Sequence, residues 1–276
     1  MAERLQKLLA EAGRGSRRQI EAMIAAGRIS VNGVVAKLGD RAGTDDVIRI
    51  DGRVVKLAQR PDEKQRVLIY HKPEGEVCTR SDPEGRPTVF EQLPKLRSGR
   101  WIAVGRLDIN TCGLMLFTTD GELANRLMHP SGEIEREYAV RVLGQADKDI
   151  CAKLTRGVML EDGLAKFASV QDGGGQGVNH WYHVTLKEGR KREVRRLWES
   201  QGFTVSRLIR VRFGPIRLHR ELASGTWQEL GRDGLNELRA CVGMPPITMD
   251  DAAVAKKKKA KPWPGKKRAP AYRKSR

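Results

Sequence analysis

The chain has 276 residues, a length that suits one large domain or two unequal ones. Hydrophobic residues make up 39% of it, and with its 29 glycines the apolar share is that of globular proteins, which excludes disorder throughout the chain. No apolar stretch approaches the roughly 18 residues of a membrane helix, and Glu3, Arg4 and Lys7 fall where a signal peptide would need its apolar segment. We therefore expect a soluble, cytoplasmic protein.

The sequence contains no pattern for a metal, a nucleotide or a disulfide framework. The four cysteines form no CxxC pair. His180 and His183 lie three residues apart in a strand-like run, which places them on opposite faces and argues against a zinc site. The glycine-rich run 172–177 lacks the order of a phosphate-binding loop, so we interpret it as a flexible loop. We expect no metal and no cofactor.

The charge points to a polyanionic partner. Lysine and arginine exceed aspartate and glutamate by 18, and residues 256–276 carry eleven basic and no acidic residues, which leaves +7 for residues 1–255. A solubilising charge excess is the simpler reading, but basic side chains that neutralise phosphates are typical of nucleic-acid binding. We expect residues 247–276 to form a basic tail that is disordered until it meets a polyanion.

Residues 1–58 have the pattern of a small module. Leu5, Leu8 and Leu9 mark one face of a short helix, and Ser16–Gln19 fits a capping box that opens a second helix. Asn32-Gly33 between short apolar runs predicts a two-residue hairpin. We expect two helices followed by short strands.

Three arginines, Arg14, Arg17 and Arg18, cluster where the second helix begins, and free N–H groups there favour a phosphate. The alternative is a solvated helix face. Over residues 3–55 the order of elements and the basic helix start resemble the S4 RNA-binding module, and this resemblance implies RNA contacts for the three arginines.

Residues 56–66 are polar and predict a linker. Beyond them, strand-like and helical segments alternate irregularly, with hairpin-length spacings that favour a mixed or antiparallel sheet. The predicted strands are Val67–Tyr70, Trp101–Val104, Leu114–Thr118, Tyr138–Leu143, Phe167–Val170, Trp181–Leu186 and Val205–Val211, and the predicted helices are Asp120–Met128, Asp147–Arg156 and Arg192–Ser200.

Three segments are candidates for chemistry. Asp108 lies between two apolar strands in the run 105–113, where a turn aspartate is the alternative. The run 187–198 is strongly basic; its Arg195 flanks apolar helix positions, at the edge of the core, where it can pair with a buried carboxylate and hold it ionised. Alternation in residues 135–141 places Tyr138 on a buried face, where a core tyrosine is the alternative.

These segments, in this order, closely resemble the pseudouridine synthases of the small-subunit pseudouridine synthase A (RsuA) family. The quoted motifs are Gly105-Arg106-Leu107-Asp108, Tyr70–Gly75, Asp82–Val89 and Thr118–Pro130, and the resemblance extends over residues 67–245. The uninterrupted run 101–113, Trp198 and the basic extension look most like family members that act on the large ribosomal subunit. Met115 and Lys191 depart from the usual leucine and asparagine, which leaves fine substrate contacts in doubt.

The resemblance implies an α+β chain with an S4 module, a catalytic domain over residues 66–246 built on a mixed, mostly antiparallel sheet flanked by helices, and the basic tail. It implies isomerisation of one uridine to pseudouridine in large-subunit (23S) ribosomal RNA, near the peptidyl transferase centre. Asp108 would be the essential carboxylate, Arg195 its ion-pair partner, and Tyr138 the residue that packs against the flipped base. Arg106, Lys191 and Arg192 would contact RNA.

The implied partner is ribosomal RNA or a pre-ribosomal particle, bound by a monomer without a small-molecule cofactor. One alternative is a synthase for another uridine, in small-subunit RNA or elsewhere in the large subunit. A second is a non-catalytic RNA-binding or ribosome-assembly protein. A nuclease is more distant, because the carboxylates and histidines that metal-ion catalysis needs are not clustered.

Overall fold

The computed structural model describes residues 2–43, 45–55, 57, 65–96 and 99–247. Most of the predicted linker and all of the predicted tail except residue 247 therefore lie outside the described residues. No helix within the described ranges is long and apolar enough to cross a membrane.

The N-terminal module has its own core, and its local signals act as predicted. The Ser16 side chain accepts from the Gln19 amide at 3.2 Å while the Gln19 side chain accepts from the Ser16 amide at 2.8 Å. Asn32 and Gly33 have φ of 50° and 87°, as a tight hairpin requires. The elements are β1 Glu3–Arg4, α1 Leu5–Glu11, α2 Arg17–Ala25, β2 Ile29–Val31, β3 Val34–Val35, β4 Arg41–Ala42, β5 Ile48–Ile50 and β6 Arg53–Val54.

The rest of the chain forms one nine-stranded sheet and a separate two-stranded hairpin, with helices. The elements are β7 Val67–Lys72, β8 Ile102–Val104, β9 Cys112–Thr118, α3 Gly121–Met128, β10 Arg136–Leu143, α4 Lys148–Arg156, β11 Val158–Leu160, β12 Gly163–Ala165, β13 Ser169–Gln176, β14 Asn179–Leu186, α5 Glu193–Glu199, β15 Val205–Phe213, β16 Ile216–Arg217, β17 Trp227–Glu229 and α6 Arg232–Ala240.

The strand order is β13-β14-β10-β15-β9-β7-β17, with β16 beside β15 and β8 beside β9. Only the pair β15–β9 is parallel among these strands, so the expected mixed, mostly antiparallel sheet is confirmed. Alternation along the strands sends side chains to two cores. Met115 and Phe117 enter the larger core, which also contains Trp198, whereas Leu114 and Leu116 enter a second core with α3 and α6.

The interpretation of residues 172–177 as a flexible loop is wrong. Residues 172–176 continue β13 and pair with β14, with a bulge between Asp172 and Gly174. Glycine permits this pairing, because a Cβ on Gly175 would lie 2.4 Å from the Asn179 carbonyl oxygen. The glycines therefore indicate a loop by composition, but in the structure they allow residues 172–176 to pair with a strand whose backbone lies too close for larger side chains.

Candidate active site

Asp108 lies in the loop of residues 105–111 that joins β8 to β9. The Asp108 carbonyl accepts from the Thr111 amide at 3.0 Å, which closes a turn around the carboxylate. Leu107 is buried beneath the loop, whereas Asp108 is half-buried and Arg106 is exposed. The side chain that the sequence singled out is thus partly accessible, on a loop whose Leu107 is anchored in the larger core.

The loop is held by its own backbone atoms on both sides of Asp108. Lys72, which is fully buried, donates from Nζ to the carbonyls of Thr111 at 2.8 Å and Ile109 at 3.3 Å. The Gly75 amide donates to the Ile109 carbonyl at 2.9 Å. Cys78 Sγ contacts the carbonyl and the amide of the residue before Asp108 at 3.2 and 3.4 Å. These bonds fix the carboxylate in place without using its own oxygens.

Arg195 anchors the same loop from α5. Its Nη2 donates to the Asn110 carbonyl at 2.9 Å and its Nη1 to the Val205 carbonyl in β15 at 2.9 Å. The guanidinium is buried, and burial lowers the pKa of Arg195; neighbouring Arg192 lowers it further, while Asp108 raises it. The prediction that Arg195 lies at the core edge is confirmed.

The expected direct ion pair between Arg195 and Asp108 is not formed. Among the described residues, no ion pair within 4.0 Å and no hydrogen bond involves the Asp108 carboxylate. Arg195 satisfies its donors on backbone carbonyls instead, and its charge acts on Asp108 through space. The carboxylate oxygens consequently have no partner among the residues that the structure describes.

Tyr138 stands on β10, on the same face as Val140 and Val142, as predicted. It is directly opposite Arg210 of β15, which in turn pairs with Gly113 of β9. Arg210 is buried and donates from Nε to the Leu114 carbonyl of β9 at 2.8 Å. Its Nη2 has no hydrogen-bond partner in the part of the chain that the structure describes. A donor nitrogen therefore lies unused beside the predicted base-packing tyrosine.

The predicted RNA-contacting side chains are exposed, in two groups. Arg106, Lys191 and Arg192 lie around the loop and at the start of α5. The exposed arginines of the N-terminal module are grouped at the start of α2: Arg14, Arg17 and Arg18. In the first group, Arg106 lies two residues before Asp108, and Lys191 and Arg192 directly precede α5, the helix that carries Arg195. The second group lies on a module with a separate core.

Sequence reasoning gave no role to Lys72 or Arg210. Lys72 belongs to the quoted motif Tyr70–Gly75, but nothing local shows that its amine reaches carbonyls 37 and 39 residues away. Arg210 alternates with apolar residues in β15, and an arginine on the apolar face of a strand is the signal that was available. No group of three or more potential metal-ligating side chains is found in the described ranges.

The chain was compared with known proteins. Residues 66–200 match the RNA pseudouridylate synthase family, and residues 3–48 match the S4 domain. Ribosomal large subunit pseudouridine synthase B of Escherichia coli (strain K12) is 61% identical over 258 residues, which covers 93% of this chain and 89% of that protein. The protein of the same name from Haemophilus influenzae is 62% identical over 248 residues, covering 89% and 70%. A solved pseudouridylate synthase matches with TM-score 0.60 and 25% identity over 85% of this chain and 99% of its own.

Proposed function

Because the chain belongs to the RNA pseudouridylate synthase family and is an RNA pseudouridine synthase, we propose that it converts one uridine of large-subunit ribosomal RNA to pseudouridine. The family expected from the sequence motifs is confirmed. The observation that carries the proposal is the half-buried Asp108 on a backbone-anchored loop beside the Arg195 guanidinium. The names of relatives at 61% and 62% identity support the large subunit as the target.

The reaction breaks the N1–C1′ glycosidic bond of uridine and forms a C5–C1′ bond. The C5 proton leaves and N1 of the base gains a proton, so no electrons are exchanged with a cofactor. Asp108 acts in its ionised form, either as a nucleophile toward the sugar or base or as the base that removes a sugar proton on a glycal route. Both routes require a carboxylate with free oxygens, as the structure presents it.

Arg195 and Tyr138 complete the proposed catalytic set. The Arg195 charge stabilises negative charge that develops near Asp108 during the reaction. Tyr138 packs against the extruded base and serves as a base late in the reaction. The buried β10 position fixes its ring on the face of the sheet that the Asp108 loop also covers.

The target nucleotide must leave its stack, at a cost of a few kcal/mol. In this proposal Arg106, two residues before Asp108, fills the vacated space or contacts the adjacent phosphate, and Lys191 and Arg192 add positive charge at the start of α5. In this proposal residues 1–58 and the tail 247–276 anchor RNA, and residues 66–246 carry the chemistry. The protein works in the cytoplasm as a monomer on ribosomal RNA or a pre-ribosomal particle during ribosome biogenesis, without a cofactor.

Tritium release from large-subunit RNA transcribed with 5-tritiated uridine tests the proposal. Wild type should release about one equivalent per RNA, since isomerisation expels the hydrogen at C5, and Asp108→Asn should release none. Asp149→Asn is the matched control, because Asp149 is exposed on α4 and makes no side-chain hydrogen bond in the described part of the chain. It should behave as wild type.

Small-subunit RNA and immature particles are the comparison substrates. Release from small-subunit RNA alone would keep the chemistry and overturn the proposed target. Full release by Asp108→Asn would remove Asp108 from the mechanism. Sequencing of the modified position then identifies the uridine.

A further inference from the structure

The outer half of the large sheet has one face that no helix of the described residues covers. Strands β13, β14, β10 and β15 send alternate side chains into the larger core, and the residues between them point the other way. On this opposite face Trp181, Arg141 and Arg207 stand in one row across β14, β10 and β15. Trp181 and the neighbouring Ile209 belong to neither core. The open-face row set, as we call it, is this row together with two neighbours on the same face. Its five residues are Trp181, Arg141, Arg207, His183 and Ile209.

Glycines keep Trp181 clear of side chains from β13. Gly174 is its cross-strand partner, and a Cβ on Gly173 would lie 3.3 Å from the Trp181 Cβ. On the other side the Arg141 guanidinium lies 5.8 Å from the centre of the indole ring. The ring is half-exposed, and the side chain of His183, two residues along the strand, is 43% exposed.

Two positive charges on this face lie next to each other, which destabilises the fold. Arg141 and Arg207 are directly opposite each other, and like charges in that position are destabilising. Arg141 is oriented by Ser206 Oγ at 3.0 Å. Arg207 is exposed, and its side chain makes no hydrogen bond or ion pair with any residue that the structure describes. The glutamate on the same face, Glu137, is already paired with Arg212 at 2.9 Å.

We infer that the open-face row set binds single-stranded RNA on the side of the sheet opposite Asp108. An aromatic ring beside two guanidinium groups on an exposed sheet provides base stacking together with phosphate neutralisation. The occupant is an unpaired segment of the ribosomal RNA substrate, so the inference rests on the proposed function. It adds a contact surface that is separate from the Asp108 loop and from Arg14, Arg17 and Arg18 at the start of α2.

Fluorescence anisotropy with a single-stranded RNA of about twelve nucleotides tests the inference. All variants also carry Asp108→Asn, so that no uridine is converted during the binding measurement. Trp181→Ala should raise the Kd about fivefold or more, which is the lower end of the effect of losing one base–aromatic stack. Trp181→Phe should recover much of the lost affinity. Arg207→Gln should raise Kd and reduce the salt slope of log K by about one, whereas Arg207→Lys should keep the slope.

Arg232→Gln on α6 is the charge-matched control, since Arg232 is also exposed without a side-chain partner in the described ranges. Wild-type binding by Trp181→Ala and Arg207→Gln would overturn the inference, as would an equal loss in Arg232→Gln. Unchanged RNA binding combined with lost binding to immature particles would assign the face to a protein partner and also overturn it. Tritium release is measured separately, with proteins that keep Asp108. A protein that releases no tritium contradicts the proposed function, whereas unchanged RNA binding by the variants contradicts the inferred RNA-binding surface.

Discussion

Replacing Lys72 with methionine should loosen the loop that carries Asp108. The Lys72 amine is fully buried and donates to the carbonyls of Pro73 and Thr111 at 2.9 and 2.8 Å, with a longer bond to Ile109 at 3.3 Å. Methionine has nearly the same length and removes all three bonds. The change therefore tests the anchoring of the loop without opening a large cavity.

The size of the effect follows from these bonds. Hydrogen bonds to a charged group contribute about 1.5–3 kcal/mol each, so the two short bonds give a gross loss of about 3–6 kcal/mol. Part of this loss is offset, because the variant no longer buries an ammonium group. Burial also lowers the pKa of Lys72, which is the direction expected for a desolvated ammonium group. We expect the free energy of unfolding to fall by about 2–4 kcal/mol.

The effect on rate should be larger than the effect on stability. A displacement of about 1 Å at a catalytic group costs on the order of 10²-fold, so the single-turnover rate of tritium release should fall by about that factor. Urea unfolding gives the stability, and Lys166→Met is the control because Lys166 is exposed and makes no side-chain hydrogen bond within the described residues. A variant of Lys72 with wild-type stability and rate would refute the role of these bonds.

Three further changes have defined outcomes. Gly113→Ala should destabilise the fold by about 3 kcal/mol or more in urea unfolding, because Gly113 has φ of 111° and its Cβ would lie 2.3 Å from the Arg210 carbonyl oxygen; Gly85→Ala, which has open space, is the comparison. Burial raises the pKa of Glu193 to about 7, so the folded protein holds this proton more tightly than the unfolded chain does. The free energy of unfolding should therefore fall by up to about 3 kcal/mol as the pH rises from 4.5 to 7. Glu193→Gln should abolish that fall, and an unchanged pH profile would contradict the assignment. Arg195→Lys should lower the rate of tritium release about 10²-fold, because one ammonium group cannot reach the carbonyls of both Asn110 and Val205. A rate near that of the wild type would contradict the role of these two hydrogen bonds.

Signals that act within a few residues were predictable from the sequence. The capping box of Ser16 and Gln19 and the Asn32-Gly33 turn depend on neighbouring backbone atoms, and both are formed as expected. The alternation that buries Tyr138 is equally local. The catalytic roles of Asp108, Tyr138 and Arg195 stay predictions until the variants are measured.

Features that depend on distant backbone were missed or misassigned. Arg195 was expected to pair with a carboxylate, but its donors meet the carbonyls of Asn110 and Val205, which composition cannot reveal. Lys72 was passed over for the same reason. The glycine-rich composition of residues 172–177 indicates a flexible loop, whereas in the structure glycine allows residues 172–176 to approach the backbone of β14 closely.

The anchoring of the Asp108 loop has a consequence for the order in which the protein matures. Its supports come from β7, from Cys78 and from α5, and α5 is itself tied to the start of β15 through Arg195. A chain emerging from the ribosome therefore cannot complete the loop until residue 205 has been synthesised and has docked. The Asp108 loop thus gains its full set of anchors only after most of the domain has been synthesised and folded.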